Sequence, residues 1–512
     1  MRPKIVLVWF KRDLRIVDHA PLTAAVATGL PVLPLYVVEP DYWQLSTSSQ
    51  RHWSFIHDSL IQLRESLTAI GQSLVIRVGQ VPSVLQDLMA DYDVQGIYAH
   101  EETGHLWTYA RDLEVLDFCR HHGISIHDFP HGGVVRRLRS RDGWSRLRQD
   151  RISQTPLPAP TALLPLSAID NGQIPAKDDS LFKNRISGKT QKGGRRAGLA
   201  IVQSFIHQRA NRYLKSISSP RYGPDFSSRL SPHLAWGTLS EREVVHRFQE
   251  GISTLPPRDF GRRGLAAVLT RLSWRSHFMQ KLEDQPDLEN TSMHSFYDGL
   301  RPQDDQTQTS LSAWQDGHTG YPIIDACMRC LAETGWLPFR MRAMLVSFAS
   351  YHLWLDWRLT APHMARLFTD YEPGIHYSQF QMQSGVTGIN TMRVYNPVKQ
   401  SYDHDPEGWL IRQYCPELAH LPVEWVHEPY LMPPLLASEF NFETGRDYPM
   451  PIVDNQTAMR EAKNKMAAIR KQAGFDQEAA SVFQRLGSRN RPRQGAKKRQ
   501  AKPNAQQQLD LF

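Results

Sequence analysis

At 512 residues the chain is too long for one ordinary hydrophobic core, so two domains plus extensions are expected. Its 60 Lys and Arg against 52 acids give a net charge of +8 and a pI near 9.2, which favours a polyanionic partner, although part of that excess sits in a basic C-terminal tail. The opening MRPKIVLVWFKRDLR breaks its apolar run too early for a secretory signal, and no stretch approaches the roughly 20 apolar residues that span a bilayer, so a cytoplasmic protein without membrane spans is expected.

In chain order, IVLVWF, PVLPLYVV, SLVIRV, GIYAH and ISIHDF are apolar runs of strand length, with helical patterns between them at 50–68, 81–92 and 107–121. The alternation predicts an α/β domain over 1–135, built on a doubly wound parallel sheet. No GxGxxG motif follows the first strand, so a dinucleotide is not expected there in the usual way. The most polar rim is HEETGHLWTYARD, His100 to Asp112, which also suits the acidic bias of an ordinary helix start. Residues 136–195, basic and punctuated by Pro, Ser and Gly, read as a surface linker. An all-α domain is expected over 196–434. Over 435–512 there follow a Pro-rich exit, a short charged helix at MREAKNKMAAIRKQAG and a basic disordered tail.

The densest chemistry lies between Trp314 and Gln400. Ile323, Ile324, Cys327, Met328 and Leu331 recur at helical spacing, and Met344, Val346, Phe348 and Tyr351 to Leu355 predict a second helix, apolar nearly all round and therefore central. A buried bundle explains those residues but not the neighbouring Asp370 and Glu372 or the arginines around them. Cys119, Cys327, Cys330 and Cys415 lack the spacing of a metal set; buried reduced thiols are expected and no metal site is predicted. SSRLS, 227–231, offers successive backbone N–H groups and hydroxyls at a helix start, which suits a phosphate.

Several blocks stand in a characteristic order: VWFKRDLRIVDHAPL, SSRLSPHLAWGTLS, LSWRSHF, TGYPIIDACMR, TGW, RMR, DWR, and RVYNP followed by DHDPEG. Together they resemble the photolyase/cryptochrome flavoproteins over about residues 3–430, as a divergent bacterial-type member. The resemblance implies a helical FAD-binding domain. Tyr213, Ser227, Ser228, Leu230 and Ser231 match pyrophosphate contacts, Arg275 and Arg342 match positions that neutralise phosphates and the reduced flavin ring, and Asp370 and Glu372 match the acidic pair near the ribityl and isoalloxazine portions. It also implies an antenna site in the N-terminal domain; folate, deazaflavin, flavin and an empty pocket all remain open.

Departures from the family pattern bear on function. His376 stands where an Asn usually faces flavin N5, and a histidine there is expected to exchange protons near neutral pH. Phe380 replaces the flavin-proximal tryptophan of the usual electron chain while Trp357 keeps the next position, so Trp354, Tyr377 and Trp357 become candidates for a rerouted donor path. Trp274 fits the lesion-stacking tryptophan, but Arg271 stands where an acid is expected, and Phe339, Ala343 and Met382 replace the usual Asn, Met and second stacking Trp. Pro338 and Phe339 occupy the place of the histidines that serve 6-4 photoproduct repair. Neither a standard dimer photolyase nor a standard 6-4 photolyase is expected.

DNA is nonetheless the expected partner. Arg340 and Arg393 match phosphate contacts, and Arg485 to Lys502 carries eight Lys and Arg with no acid. The chain ends QLDLF, and Gln508, Leu509, Asp510, Leu511 and Phe512 resemble the peptide by which bacterial repair proteins hook onto the replication sliding clamp. The sequence therefore points to a monomeric, light-dependent DNA-repair lyase. A cryptochrome-type blue-light photoreceptor is the alternative.

Overall fold

Residues 2–166, 169–182 and 184–489 are described by the computed structural model. Five strands, β1 (Lys4–Phe10), β2 (Val32–Val38), β3 (Val75–Val78), β4 (Asp93–His100) and β5 (Ser125–Phe129), form one parallel sheet in the order β3-β2-β1-β4-β5. β1 and β2 are buried almost throughout because helices cover both faces, which is why they read as continuous apolar runs rather than alternating ones. The helices expected between the strands are present as Gln50–Thr68, Val81–Asp91 and Leu106–His122.

The C-terminal end of β1 delivers Arg12 and Asp13 to the helical part of the molecule. Asp13 accepts hydrogen bonds from His19 Nε2 (2.8 Å) and His100 Nδ1 (2.7 Å). Leu22 N–H donates to His19 Nδ1 (3.1 Å), which places the ring hydrogen on Nε2 and makes this cluster a hydrogen-bonded hub rather than an open ligand set. Gly237 lies against this hub with φ +67°, and a Cβ there would stand 2.0 Å from the Arg12 carbonyl oxygen. The contact requires glycine on both counts.

The connector is more than a surface strap. Leu163 and Phe182 are buried in the α/β core, Phe182 stacking on Trp53 at 4.4 Å, and Ile76 N–H bonds to the Asn171 carbonyl along the free side of β3. A sheet edge that would otherwise be open is thus covered by the connector's main chain. Arg51, 1 % exposed, reaches out of Gln50–Thr68 and donates to the carbonyls of Leu331 (3.1 Å), Ala332 (2.6 Å) and Leu367 (2.7 Å). These carbonyls lie in the C-terminal turns of Pro322–Thr334 and Trp357–Leu367, where Leu331 also accepts from the Gly335 N–H (2.9 Å), so one guanidinium helps to cap two helix termini across the domain contact.

The helical core centres on Trp314, Ile324, Met328, Met344, Phe348 and Trp357. The single helix expected through Leu355 is broken. Phe339–Ser347 runs into a wide turn at Phe348–His352, Trp354 takes φ 54°, and a new helix, Trp357–Leu367, starts under the Asp356 side chain, which accepts from Arg358 N–H (2.9 Å). A helix N-cap and a left-handed residue end the apolar run where periodicity alone would extend it. The core also continues past residue 434: Ala462, Met466 and Phe475 belong to it, and Val482 and Leu486 pack with Leu282, Leu288 and Met293. All four cysteines are free and buried, as expected. Among the described residues no helix is long and apolar enough to cross a membrane. The QLDLF peptide and the basic tail from residue 490 onward lie outside the described residues.

Burial pushes the imidazoles of His52, His100 and His376 each down to about 3. Groups neutral in the fold but protonated in the unfolded chain remove stability as pH falls below the unfolded value near 6.5, by about 1.4 kcal/mol per pH unit for each histidine. The urea midpoint should therefore drop steeply between about pH 6.5 and 5, before carboxylates titrate. A midpoint that is level or rises over that interval contradicts a core of neutral histidines.

Candidate active site

A cavity of about 330 Å³ opens on the helical part, and a second of about 90 Å³ adjoins it more deeply. Phe339, Arg342, Asp370, Glu372, Ile375 and Gln379 line both, so the two are one site with an outer and an inner chamber. Tyr213, Ser227, Ser228, Leu230, Ser231 and Arg275 line the outer chamber, as do Arg271, Trp274 and Arg340. His376, Ala343 and Phe380 line the inner one. Residues 160 positions apart in sequence are thereby brought to one place.

Opposite charges are matched in depth. Arg342 holds Asp370 in a two-pronged pair (3.0 and 2.9 Å), and Arg275 holds Glu372 (2.9 Å) while also donating to the Leu234 carbonyl (3.1 Å). Burial alone would raise the Asp370 carboxyl; Arg342, its hydrogen bonds, and Arg229 outweigh that and hold it below the usual carboxylate range. Arg12, arriving from the end of β1, donates to the Tyr371 carbonyl (2.7 Å) and stands 3.9 Å from Glu372. The SSRLS loop turns at Arg229, φ 55°, whose guanidinium lies over Trp336 at 4.3 Å. This throws Ser227, Ser228 and Ser231 onto the cavity side, where Ser227 Oγ is buried with no hydrogen-bond partner. An orphaned hydroxyl, successive backbone N–H groups and two arginines at one wall fit the pyrophosphate of a dinucleotide cofactor.

His376 departs from expectation in its chemistry though not in its place. Its Nε2 donates to the Ala361 carbonyl (2.9 Å), and burial pushes it down to about 3, so the ring stays neutral from pH 5 to 8 and Nδ1 is left as an acceptor. The proton exchange expected near neutrality is therefore corrected to a fixed tautomer.

Other candidates lie away from the cavity. Met382 is half-buried and outside both sets of lining residues, and Arg393 likewise lines neither chamber. Trp357 is buried, its Nε1 donating to Ser292 Oγ (3.3 Å); Tyr377 touches both Trp357 (6.2 Å) and His376 (5.6 Å). Trp354 lies between Arg301 and Lys465, each 4.8 Å from its ring. Arg301 is buried with no carboxylate in ion-pair range among the described residues, and at an effective dielectric near 20 it opposes a positive charge on that ring by about 3 kcal/mol. Both cations thus oppose oxidation of the Trp354 ring. Arg358, over Trp357 at 4.6 Å, is neutralised by Asp356 and Asp298, so Trp357 keeps no such penalty.

Sequence reasoning missed Gln379, Tyr395, Trp336 and Ile375, which complete the walls. Gln379 sits three residues beyond His376 on one helix, a spacing that could have flagged it. In the N-terminal part a cavity of about 40 Å³ is lined by Trp9, Lys11, Glu39, Tyr42, Glu102 and Arg111 among others. Arg111 binds Glu39 (2.6 Å), Glu102 (2.6 Å) and Asp112 (2.8 Å), and a chromophore there would have to displace these pairs.

Comparison with known proteins agrees with this geometry. A family model described as the FAD binding domain of DNA photolyase matches residues 268–468, and one described as DNA photolyase matches 6–141. A cryptochrome DASH of Gloeobacter violaceus is 30% identical over 481 residues, 89% of this chain and 94% of that protein. A deoxyribodipyrimidine photo-lyase of Agrobacterium fabrum is 28% identical, covering 91% and 98%. The crystal structure of a bacterial class III photolyase from Agrobacterium tumefaciens superposes with a TM-score of 0.79 at 26% identity, over 92% of this chain and 99% of that one. With its parallel-sheet domain, its helical FAD-binding domain and these relatives, the chain belongs to the photolyase/cryptochrome family of flavoproteins and is a photolyase-like lyase by kinship.

Proposed function

We propose that this chain is a cytoplasmic, light-dependent DNA-repair enzyme that transfers an electron from reduced FAD to a pyrimidine photolesion turned out of the strand into the outer chamber. The observation that carries this reading is the charge of the mouth. Arg271 and Arg340 line the outer chamber with Trp274 and have no carboxylate in ion-pair range among the described residues, whereas Arg275 and Arg342 are each neutralised. Unpaired cations beside an aromatic face suit phosphates and a base removed from its stack.

When bound, FAD supplies the light-driven one-electron chemistry. The chain's own residues do the rest. The backbone and hydroxyls of Ser227, Ser228 and Ser231 would hold the pyrophosphate together with Tyr213 and Leu230, Arg342 and Arg275 would offset its charge, and Asp370 and Glu372 orient the two arginines. His376 offers an acceptor at Nδ1 and delivers no proton near neutrality. Met382 and Arg393 would reach DNA only outside the chamber.

A photoreceptor without repair activity is the second reading, favoured by Met382: the position expected to carry a second stacking aromatic lies off the cavity wall. The two are separated by illuminating FAD-loaded, chemically reduced protein with cyclobutane-dimer DNA and 6-4 DNA, single- and double-stranded. Loss of either lesion supports repair; none in all four substrates leaves the photoreceptor reading. Arg342→Ala strips a buried carboxylate of its partner, a cost of about 3 kcal/mol, and should weaken FAD binding roughly a hundredfold while the far-UV spectrum is retained. FAD titration at wild-type affinity would contradict the assignment of that wall.

We also propose that the terminal Gln508 to Phe512 peptide docks on the sliding clamp, with the basic segment before it holding DNA in a salt-sensitive way, so that tethering raises local concentration without new contacts to the enzyme body. Deleting 507–512 should abolish clamp pull-down and leave FAD content unchanged. Equal capture of both proteins refutes the hook.

A further inference from the structure

Phe380 breaks the tryptophan route on which an electron would approach the inner chamber, and Trp354 is disfavoured by its cations. On the wall of the inner chamber a different group has the features of a donor. Tyr371, between Asp370 and Glu372, is 2 % exposed; its ring meets His376 edge-on at 5.1 Å and stacks on the neutral His52 at 5.7 Å. No cation lies over that ring among the described residues. Its hydroxyl lies 3.2 Å from His105 Nε2.

His105 comes from the other domain, at the start of Leu106–His122, and its tautomer is set. Glu289 places one carboxylate oxygen 2.8 Å from His105 Nδ1 and the other 3.0 Å from the Leu106 N–H. Since a carboxylate only accepts, Nδ1 carries the hydrogen and Nε2 is a base aimed at the phenol. Thr47 Oγ1, at 3.3 Å, shares that nitrogen. A buried phenol is oxidised readily only if its proton leaves at the same time, and a base within about 3.2 Å provides the route. The Tyr377 hydroxyl, at 3.5 Å, is a second and longer acceptor for the phenol; the nearer one is a histidine backed by a carboxylate.

We propose that Tyr371, His105 and Glu289 form a proton-coupled electron relay that replaces the missing flavin-proximal tryptophan in light-driven reduction of the bound FAD. The proposal rests on the reading of the inner chamber as the isoalloxazine site. One electron passes from the Tyr371 ring to the photoexcited isoalloxazine, which serves as the one-electron oxidant. The Tyr371 O–H bond breaks and its proton forms an N–H bond at His105 Nε2. Tyr371 becomes a neutral phenoxyl radical, His105 an imidazolium facing the Glu289 carboxylate, and the cofactor is one electron more reduced. A thiolate reductant then returns one electron to the phenoxyl, and the proton goes back from His105. Tyr42, 6.4 Å from His105 and 5.7 Å from Trp107, continues a line of rings toward the half-buried Trp107.

The test uses FAD-loaded full-length protein under blue light with dithiothreitol, read by absorbance and by electron paramagnetic resonance of freeze-trapped samples. Wild type should give a tyrosyl signal that narrows with ring-deuterated tyrosine and shows an exchangeable hydrogen-bonded proton. Tyr371→Phe should lose that signal and reduce its flavin at least about a hundredfold more slowly, and His105→Gln roughly a hundredfold more slowly. Thr47→Val should keep the radical. In the dark, the ¹⁵N resonance of His105 Nε2 should shift on Tyr371→Phe, which reads the hydrogen bond without any photochemistry. Flavin reduction at wild-type rate in Tyr371→Phe, or a trapped radical located on tryptophan alone, overturns the relay. A protein that shows no flavin absorbance before illumination overturns the chamber assignment and the relay with it, and is thereby told apart from failure of the relay alone.

Discussion

Two buried carboxylates, Asp370 and Glu372, sit at the junction of the two chambers, and three arginines from three separate elements converge on them or on the peptide between them. A carboxylate removed from water is unstable unless its charge is met at close range, so these side chains require Arg342, Arg275 and Arg12 to be where they are. Arg342 comes from Phe339–Ser347, Arg275 from Phe260–Asp284, and Arg12 from the end of β1. The segment Asp370 to Glu372 is therefore the point at which the helices and the sheet domain are tied to one another.

The same logic repeats across the domain contact. Arg51 closes two helix ends, Gly237 allows the chain to approach Arg12, and Glu289 reaches over to the start of Leu106–His122. Arg51 and Glu289 each use a polar group of one domain to bond backbone groups of the other. A contact so specified fixes relative position far better than apolar area would, and Arg12, which approaches Glu372 from the sheet domain, needs that fixity.

Charge also decides which aromatic rings can take part in chemistry. Trp354, Trp357 and Tyr371 are all within the helical body, but one lies between two cations, one under an arginine already paired, and one against neutral imidazoles. Ring type alone would rank the tryptophans first. Surroundings reverse that order, because stabilising or opposing a transient positive charge depends on the nearest fixed charges.

The sequence by itself determined a good deal. Apolar runs between helical patterns specified the parallel sheet, since strands covered on both faces must be apolar throughout, and the blocks around SSRLS, Trp274, Arg342 and Asp370 supplied nearly the whole outer chamber. It misjudged the helix through Leu355, because an N-cap at Asp356 and a left-handed Trp354 leave no mark on hydrophobic periodicity. The Pro-rich connector concealed the burial of Leu163 and Phe182. Only the tertiary structure decided that His376 is neutral, that Met382 lines neither chamber, and that Tyr371 meets His105. Protonation depends on burial and on partners hundreds of residues distant, and those distances exist only once the two domains have closed on each other.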